Sequence, residues 1–209
     1  TRGMNYANAI GIIVETEFMS RVLAFDTWQE RWGNTDRVLT EEQNESVAMQ
    51  TFSGLDLTKR IVEGQAGIDG MTAAKRCWNY QKGGLQWYLP CLMELGVLCA
   101  YRDEINKAMK EIGCPDECLL PTEDSDETWV WSSSENSQYG SWCVGFSNGS
   151  FYGSKYGSNV VRAVAAFQPS PSLLTGEAKS NDCLHSDEAL INMLRERGYK
   201  GELTKTLTI

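Results

Sequence analysis

The chain has 209 residues, of which 19 are basic and 28 acidic, so its formal net charge at neutral pH is −9. This charge disfavours nucleic acid and anionic membranes as partners. No run approaches the roughly 20 apolar residues needed to span a membrane. No signal-peptide pattern is visible at the start. The length and an ordinary apolar fraction of 42% predict one domain with its own core, with room for an appendage.

The first predicted elements are two strands. The apolar runs at residues 9–15 and 20–26 are rich in β-branched side chains and predict an antiparallel hairpin. A loop is expected over residues 27–39, which include Trp28 and Trp32.

Helices are predicted next. Thr40 and Gln43 have the spacing of a capping box and predict a helix over residues 40–52. Further helices are expected at 56–63 and at 72–80, where the apolar residues recur at helical spacing.

Another two helices complete this part. Pro90 is expected in the first turn of a helix that turns Leu92, Leu95, Leu98 and Cys99 inward. The following helix, at 102–112, is expected to end at Gly113.

The seven cysteines include no C-x-x-C motif, and most are predicted to be reduced and structural. Cys114 and Cys118 have the spacing of half a zinc site. His185 is the only histidine, so four ligands are not available and no metal is predicted. The acidic residues 122–128 lack the spacing of an EF-hand and are interpreted as a solvated turn.

The segment beyond Phe167 changes character. A Pro/Ser linker at 168–172 precedes a predicted helix that begins after Ser186, and a predicted strand at 199–209. One helix and one strand cannot form a core alone. Residues 168–209 are therefore expected to dock on the main domain or to pair with another chain in an oligomer.

The segment from Trp129 to Phe167 carries the strongest functional signal. Between Ser132 and Asn159, 20 of 28 residues are Ser, Gly, Tyr or Asn, interleaved with apolar anchors. Tyr supplies rigid contact area and the small polar residues supply adaptable hydrogen bonds, as in antibody-like binding surfaces. A turn-rich, solvated β region without a function is the alternative interpretation.

Spacing in this segment adds specificity. W-x-W-S-S at 129–133, Trp142, F-S-N-G at 146–149 and V-R-A-V-x-x-F at 161–167 follow in order, after G-L-Q-W-Y-L-P at 84–90. Over residues 8–167 the chain resembles the branch of the C-type lectin fold that includes the variable proteins of diversity-generating retroelements, such as the major tropism determinant. Cys91 departs from the Ser that this branch often has there.

The resemblance implies an α+β C-type lectin domain over residues 1–167, with helices packed on a small twisted antiparallel sheet and long irregular loops. The variable ligand-binding segment would be residues 132–160. Because side chains alternate along a strand, Trp142, Val144 and Phe146 are expected to point inward and their neighbours outward.

In retroelement-diversified proteins, mutagenesis of AAC codons leaves the final C fixed, so Trp, Lys, Gln, Glu and Met cannot result. The predicted ligand-binding positions all carry permitted residues, whereas Trp142, Gln138 and Lys155 do not. These positions are Asn136, Tyr139, Gly140, Ser141, Cys143, Gly145, Ser147, Ser150, Tyr152, Gly153, Ser154, Tyr156, Gly157 and Asn159.

The resemblance predicts a hypervariable receptor-binding protein of a phage tail or bacterial surface, with a protein or glycan ligand and no cofactor. A non-variable adhesin or structural domain of the same fold is the first alternative. Formylglycine-generating oxidases share the scaffold, but Gly140-Ser141-Trp142 matches their motif only in part and Cys143 lacks a second thiolate. A non-enzymatic role is therefore predicted.

Overall fold

The computed structural model describes residues 9–33, 37–123, 128–146 and 149–167, without the side chains of residues 149–152. Residues 10–167 form one compact unit of the α+β class. The predicted appendage at 168–209, and part of the acidic turn at 122–128, lie outside the described residues. None of the helices in the described ranges is long and apolar enough to span a bilayer.

One mixed sheet organises the unit. Its strand order is β1-β2-β7-β4-β5-β6, and β3 pairs separately with β7. All pairs are antiparallel except β4 with β7, which is parallel. The strands are β1 Gly11–Glu15, β2 Ser20–Arg31, β3 Trp87–Tyr88, β4 Val130–Glu135, β5 Gly140–Gly145, β6 Gly149–Ser154 and β7 Ser158–Ala166.

Within the described ranges, five α-helices lie between β2 and β4 in the sequence. They are α1 Glu45–Ala48, α2 Gly54–Gly64, α3 Ala73–Trp78, α4 Leu92–Ala100 and α5 Arg102–Glu111. The predicted helices at 56–63, 72–80 and 102–112 are confirmed. Gly113 follows α5 with a φ of 78°, a left-handed conformation that suits glycine at the end of a helix.

The predicted hairpin is confirmed, but the loop expected over residues 27–39 is wrong at its start. Strand β2 continues to Arg31 because β7 pairs with it along its length, with Trp28 opposite Val161. A register shift lies between Leu23 and Thr27, where the pairing is interrupted. Tertiary pairing with a distant strand thus extends β2 beyond its apolar run.

The helix predicted over residues 40–52 is also wrong. Only Glu45–Ala48 is helical, and Asn44 caps it by accepting a hydrogen bond from the N–H of Val47 at 3.0 Å. Thr40 does not cap a helix, because its N–H and its hydroxyl both donate to the carboxylate of Glu135. A contact with a residue far along the chain therefore replaces the local cap.

The start of α4 differs by two residues from the expectation. Pro90 precedes the helix and Cys91 is the N-cap, with an extended backbone. The Glu94 carboxylate accepts the N–H of Cys91 at 3.0 Å. The Ser134 hydroxyl of β4 accepts the N–H of Leu92 at 3.1 Å, which ties the helix to the sheet. Leu92, Leu95 and Leu98 are buried as predicted.

The sheet is covered on both faces. On one side Val161, Ala163 and Ala165 of β7 pack in a cluster with residues of α2 and α3. On the other side the intervening Arg162 reaches Cys118 and the sulfur of Met109 in α5. Since alternate residues of a strand point to opposite faces, a central strand here has no solvated side.

Candidate functional site

Two turns lie side by side at one end of the sheet, and residues 136–139 and 154–158 are here called the paired turns. The first joins β4 to β5, and the second joins β6 to β7. Ser137 closes the first turn by accepting the N–H of Gly140 at 3.0 Å. The N–H of Lys155 donates to the carbonyl of Tyr139 at 3.0 Å, so the turns are hydrogen-bonded to one another.

An enclosed ion pair lies beneath the paired turns. Lys155 and Glu135 are both completely buried, and the Lys155 ammonium donates directly to the Glu135 carboxylate. The same carboxylate accepts the N–H of Thr40 at 2.6 Å and that of Leu39 at 2.9 Å. A buried charge is tolerable only when it is paired and hydrogen-bonded, and both conditions are met here.

The Lys155 ammonium has three further neighbours. It donates to the carbonyls of Arg37 and Gln138, each at 3.2 Å, and lies 4.7 Å from the ring centroid of Trp32. The Lys155 carbonyl accepts the N–H of Gly33 at 3.1 Å. One side chain therefore joins both paired turns to the segment that follows β2, and fixes their separation.

The exposed surface of the paired turns is aromatic and uncharged. Tyr139 is 56% exposed and Tyr156 is 51% exposed. Gln138, Ser154 and Gly157 are exposed beside them. Lys155 is the one charged residue in the paired turns, and its charge is neutralised below the surface. This arrangement suits contact with a neutral polar surface, such as a glycan or a protein loop.

The predicted ligand-binding residues fall into three groups. Tyr139, Ser154, Tyr156 and Gly157 are exposed, and Asn136 and Gly153 are half-buried. Gly140, Ser141, Cys143, Gly145 and Asn159 are buried, so the expectation that they point outward is wrong. Ser147 lies outside the described residues, as do the side chains of Ser150 and Tyr152.

The buried group follows from the position of β5. This strand lies between β4 and β6 in a sheet whose two faces are both covered. Its side chains alternate between the two faces, so they are buried on either face. Trp142, Val144 and Phe146 are buried as predicted, but Ser141 is buried too and donates to the Ser134 carbonyl at 2.8 Å.

Cys143 belongs to the core cluster that includes Trp131 and Cys77. It has 0% exposure, and burial raises its pKa to about 12. The thiol has no exposed surface for a substrate to reach, and burial disfavours the thiolate that nucleophilic chemistry needs. This environment does not fit the reactive cysteine that the oxidase alternative requires.

Gly153 has a packing role. A Cβ atom built there would lie 2.9 Å from the Cη2 atom of Trp131, closer than side chains normally approach. Trp131 has 0% exposure and donates from its indole N–H to the Glu30 carbonyl at 3.0 Å. Glycine at 153 therefore lets β6 lie over the Trp131 ring, and substitution there conflicts with the core.

Sequence reasoning missed Glu135 and the role of Lys155. A signal existed, because Glu135 ends an otherwise uncharged strand and Lys155 is the one cation between Asn136 and Val161. Opposite charges isolated in a Ser/Gly/Tyr-rich segment are candidates for pairing. No group of three or more His, Cys, Asp or Glu side chains suited to a metal ion occurs among the described residues.

We expect the double variant Tyr139→Ser, Tyr156→Ser to keep a free energy of unfolding within about 1 kcal/mol of the parent, because exposed side chains contribute about 0.5 kcal/mol or less each. Urea unfolding followed by tryptophan fluorescence measures the difference. A loss of 3 kcal/mol or more would show that the two rings belong to the core and not to a contact surface.

Comparison with known proteins gave a likeness of fold. No protein-family model matches the chain, and no curated protein matches it. Among solved structures, a fimbrial protein from Bacteroides ovatus is similar with a TM-score of 0.52 and 15% sequence identity. The match covers 71% of this chain and 36% of the fimbrial protein, so the chain corresponds to about a third of that protein. At this identity the likeness concerns the fold alone.

Proposed function

We propose that this chain is a ligand-binding protein with a C-type lectin fold, and that the paired turns form its recognition surface. The observation that carries the proposal is the pair of exposed tyrosines, Tyr139 and Tyr156, on turns that are hydrogen-bonded to one another above a sealed ion pair. The order of the W-x-W-S-S, F-S-N-G and V-R-A-V motifs supports the lectin-like assignment.

Rigidity is what makes the surface suitable for binding. Ordering a loop on binding costs free energy, so turns that are already fixed lose less of it. Here Lys155 and Glu135 fix the backbone, while the tyrosine rings supply contact area with few rotatable bonds. The ligand class that fits is an uncharged protein or glycan surface.

We further propose that the surface is diversified by a retroelement. The exposed or half-exposed positions Asn136, Tyr139, Ser154, Tyr156 and Gly157 all carry residues that a codon with a fixed final C can encode. The residues that hold the turns in place, Glu135, Trp142 and Lys155, are among those that such codons cannot encode. At these positions the permitted residues are exposed or half-buried and the excluded residues are buried, whereas the exposed Gln138 and the buried Ser141 do not follow this division.

Deep sequencing of this gene in a population of its host tests the diversification. We expect substitutions to concentrate at C-ending codons of these five exposed or half-buried positions, with Glu135, Trp142 and Lys155 constant. Cys143 and Gly153 also carry permitted residues, but we expect few viable substitutions there because both contact the core. Uniform variation, or variation at the anchors, would contradict the proposal.

A non-variable adhesin or structural surface domain is the second candidate, and a fold shared with part of a fimbrial protein fits it. The two candidates predict different sequence variation in the gene but the same contact surface on the protein. A constant gene, together with loss of binding to host cells or host glycans in the Tyr139→Ser, Tyr156→Ser variant, would favour the adhesin. A constant gene whose protein binds neither host cells nor host glycans would argue against both candidates.

A further inference from the structure

Two cysteines lie next to one another at the end of α5, away from the paired turns. Cys114 lies two residues before a 3₁₀ turn, Asp116–Cys118, that ends at Cys118, and the side chains of the two cysteines are within hydrogen-bonding reach of each other. The N–H of Cys114 donates to the Met109 carbonyl and that of Cys118 to the Pro115 carbonyl, both at 3.0 Å. The backbone N–H groups of both cysteines are therefore fixed by hydrogen bonds.

The two thiols lie just below the surface. Cys114 is 7% exposed and Cys118 is 6% exposed, while Asp116 and Glu117 between them are exposed. The core cysteines differ, because Cys77 and Cys143 have 0% exposure. Small reagents therefore have better access to the pair at 114 and 118 than to these core cysteines.

A buried cation lies beside this pair. The Arg162 guanidinium is 1% exposed, donates from Nε to the Ala24 carbonyl at 3.0 Å and donates also to the Cys118 carbonyl. Among the ion pairs of the described ranges, none involves Arg162. Of the ionisable groups that favour its charged form, the thiols of Cys118 and Cys114 have the largest effects. A neighbouring cation stabilises a thiolate.

We propose that Cys114 and Cys118 are a redox-active dithiol that closes to a disulfide in an oxidising compartment. One thiolate attacks a low-molecular-weight disulfide such as oxidised glutathione, forming a mixed disulfide and releasing one glutathione thiolate. The second cysteine thiolate then attacks the bound protein sulfur and releases the second glutathione. The protein loses two protons and two electrons, and the glutathione disulfide is reduced to two thiols.

Closure of the disulfide would fix the 3₁₀ turn. The Cys118 carbonyl in this turn accepts a hydrogen bond from Arg162 of the central strand β7. Burial raises the pKa of the Cys114 thiol to about 12, the Cys118 thiol adds to the rise, the Arg162 cation opposes it and Glu117 adds to it. A thiol whose pKa is raised is mostly protonated at neutral pH, so the rate of closure is expected to rise with pH.

The positions of the glutamates around the two cysteines allow a direct assay by proteolysis and mass spectrometry. The reduced full chain is incubated with oxidised glutathione at pH 8.5, quenched with acid, blocked with N-ethylmaleimide and digested under denaturing conditions with a Glu-specific protease. Cleavage after Glu111, Glu117 and Glu123 separates residues 112–117 from residues 118–123, with one cysteine in each peptide. Mass spectrometry is expected to find the two peptides joined by a disulfide, or the uncut 112–123 peptide two mass units below its dithiol form.

Two variants serve as controls. Cys114→Ser is expected to abolish the joined peptide, and Cys183→Ser is expected to leave it unchanged. Recovery of both peptides from the parent chain as separate maleimide or glutathione adducts would overturn the proposal. A disulfide that joins Cys114 or Cys118 to any other cysteine would overturn it equally.

Discussion

Replacing Lys155 with methionine should lower the free energy of unfolding by about 3–5 kcal/mol, the range found when one partner of a buried ion pair is removed. The reason is that the Glu135 carboxyl group, with 0% exposure, would stay buried beside the N–H groups of Leu39 and Thr40 but lose its cationic partner. Methionine has a similar length, so the change removes the charge without leaving a large cavity. Urea unfolding measures the loss.

A second substitution separates charge from packing. Glu135→Gln keeps an acceptor oxygen for Thr40 and removes the negative charge, so Lys155→Met with Glu135→Gln is expected to be more stable than Lys155→Met alone. As a matched control, Lys59→Met changes an exposed lysine of α2 and should cost about 0.5 kcal/mol or less. If the double variant is no more stable than Lys155→Met, the ion pair does not hold the turns.

Trp142→Ala is the second large effect, with an expected loss of about 3–5 kcal/mol for truncation of a buried tryptophan. The Trp142 ring is 8% exposed, and its indole N–H donates to the Gln43 carbonyl at 2.8 Å. Truncation leaves a cavity below β5 and removes the donor from a residue that is itself only 3% exposed.

Thermal unfolding of Trp142→Ala beside Tyr139→Ala provides the comparison. The tyrosine lies one residue before the same strand but is 56% exposed, so its removal should scarcely change the melting midpoint. Equal melting midpoints for Trp142→Ala and the parent would show that other contacts stabilise β5 and that Trp142 is not a core anchor.

Local signals in the sequence predicted those elements whose stability is local. The hairpin at β1 and β2, the helices α2, α3 and α5, and the stop at Gly113 all follow from periodicity or from a turn residue. The prediction was wrong where a distant group decides the structure. Thr40 carries a capping signal, but Glu135 binds it, and Trp28 lies in a strand because β7 pairs with it.

The surface proposed for recognition lies in the segment that composition indicated, but the orientation of the side chains along β5 was not predictable. Composition indicated residues 132–160, and the exposed Tyr139 and Tyr156 do lie in that segment. The alternation of side chains along β5 was interpreted as if one face of the sheet were solvated. Ser141 and Cys143 were therefore predicted to be exposed. Whether a second helical layer covers a sheet is a tertiary property that the sequence of the strand does not contain, and that is why these two residues were misassigned.

The central position of β7 has a consequence for the way the molecule forms. Strand β2 ends at Arg31, yet its partner β7 begins at Ser158, so the β2–β7 seam closes one of the longest loops available to the chain. Closure of long loops slows folding. Tyr139 and Tyr156 are not among the residues paired in that seam, and both side chains are exposed, so substitutions there should leave the rate-limiting step unchanged. The surface proposed for recognition can therefore vary without a change in the folding rate.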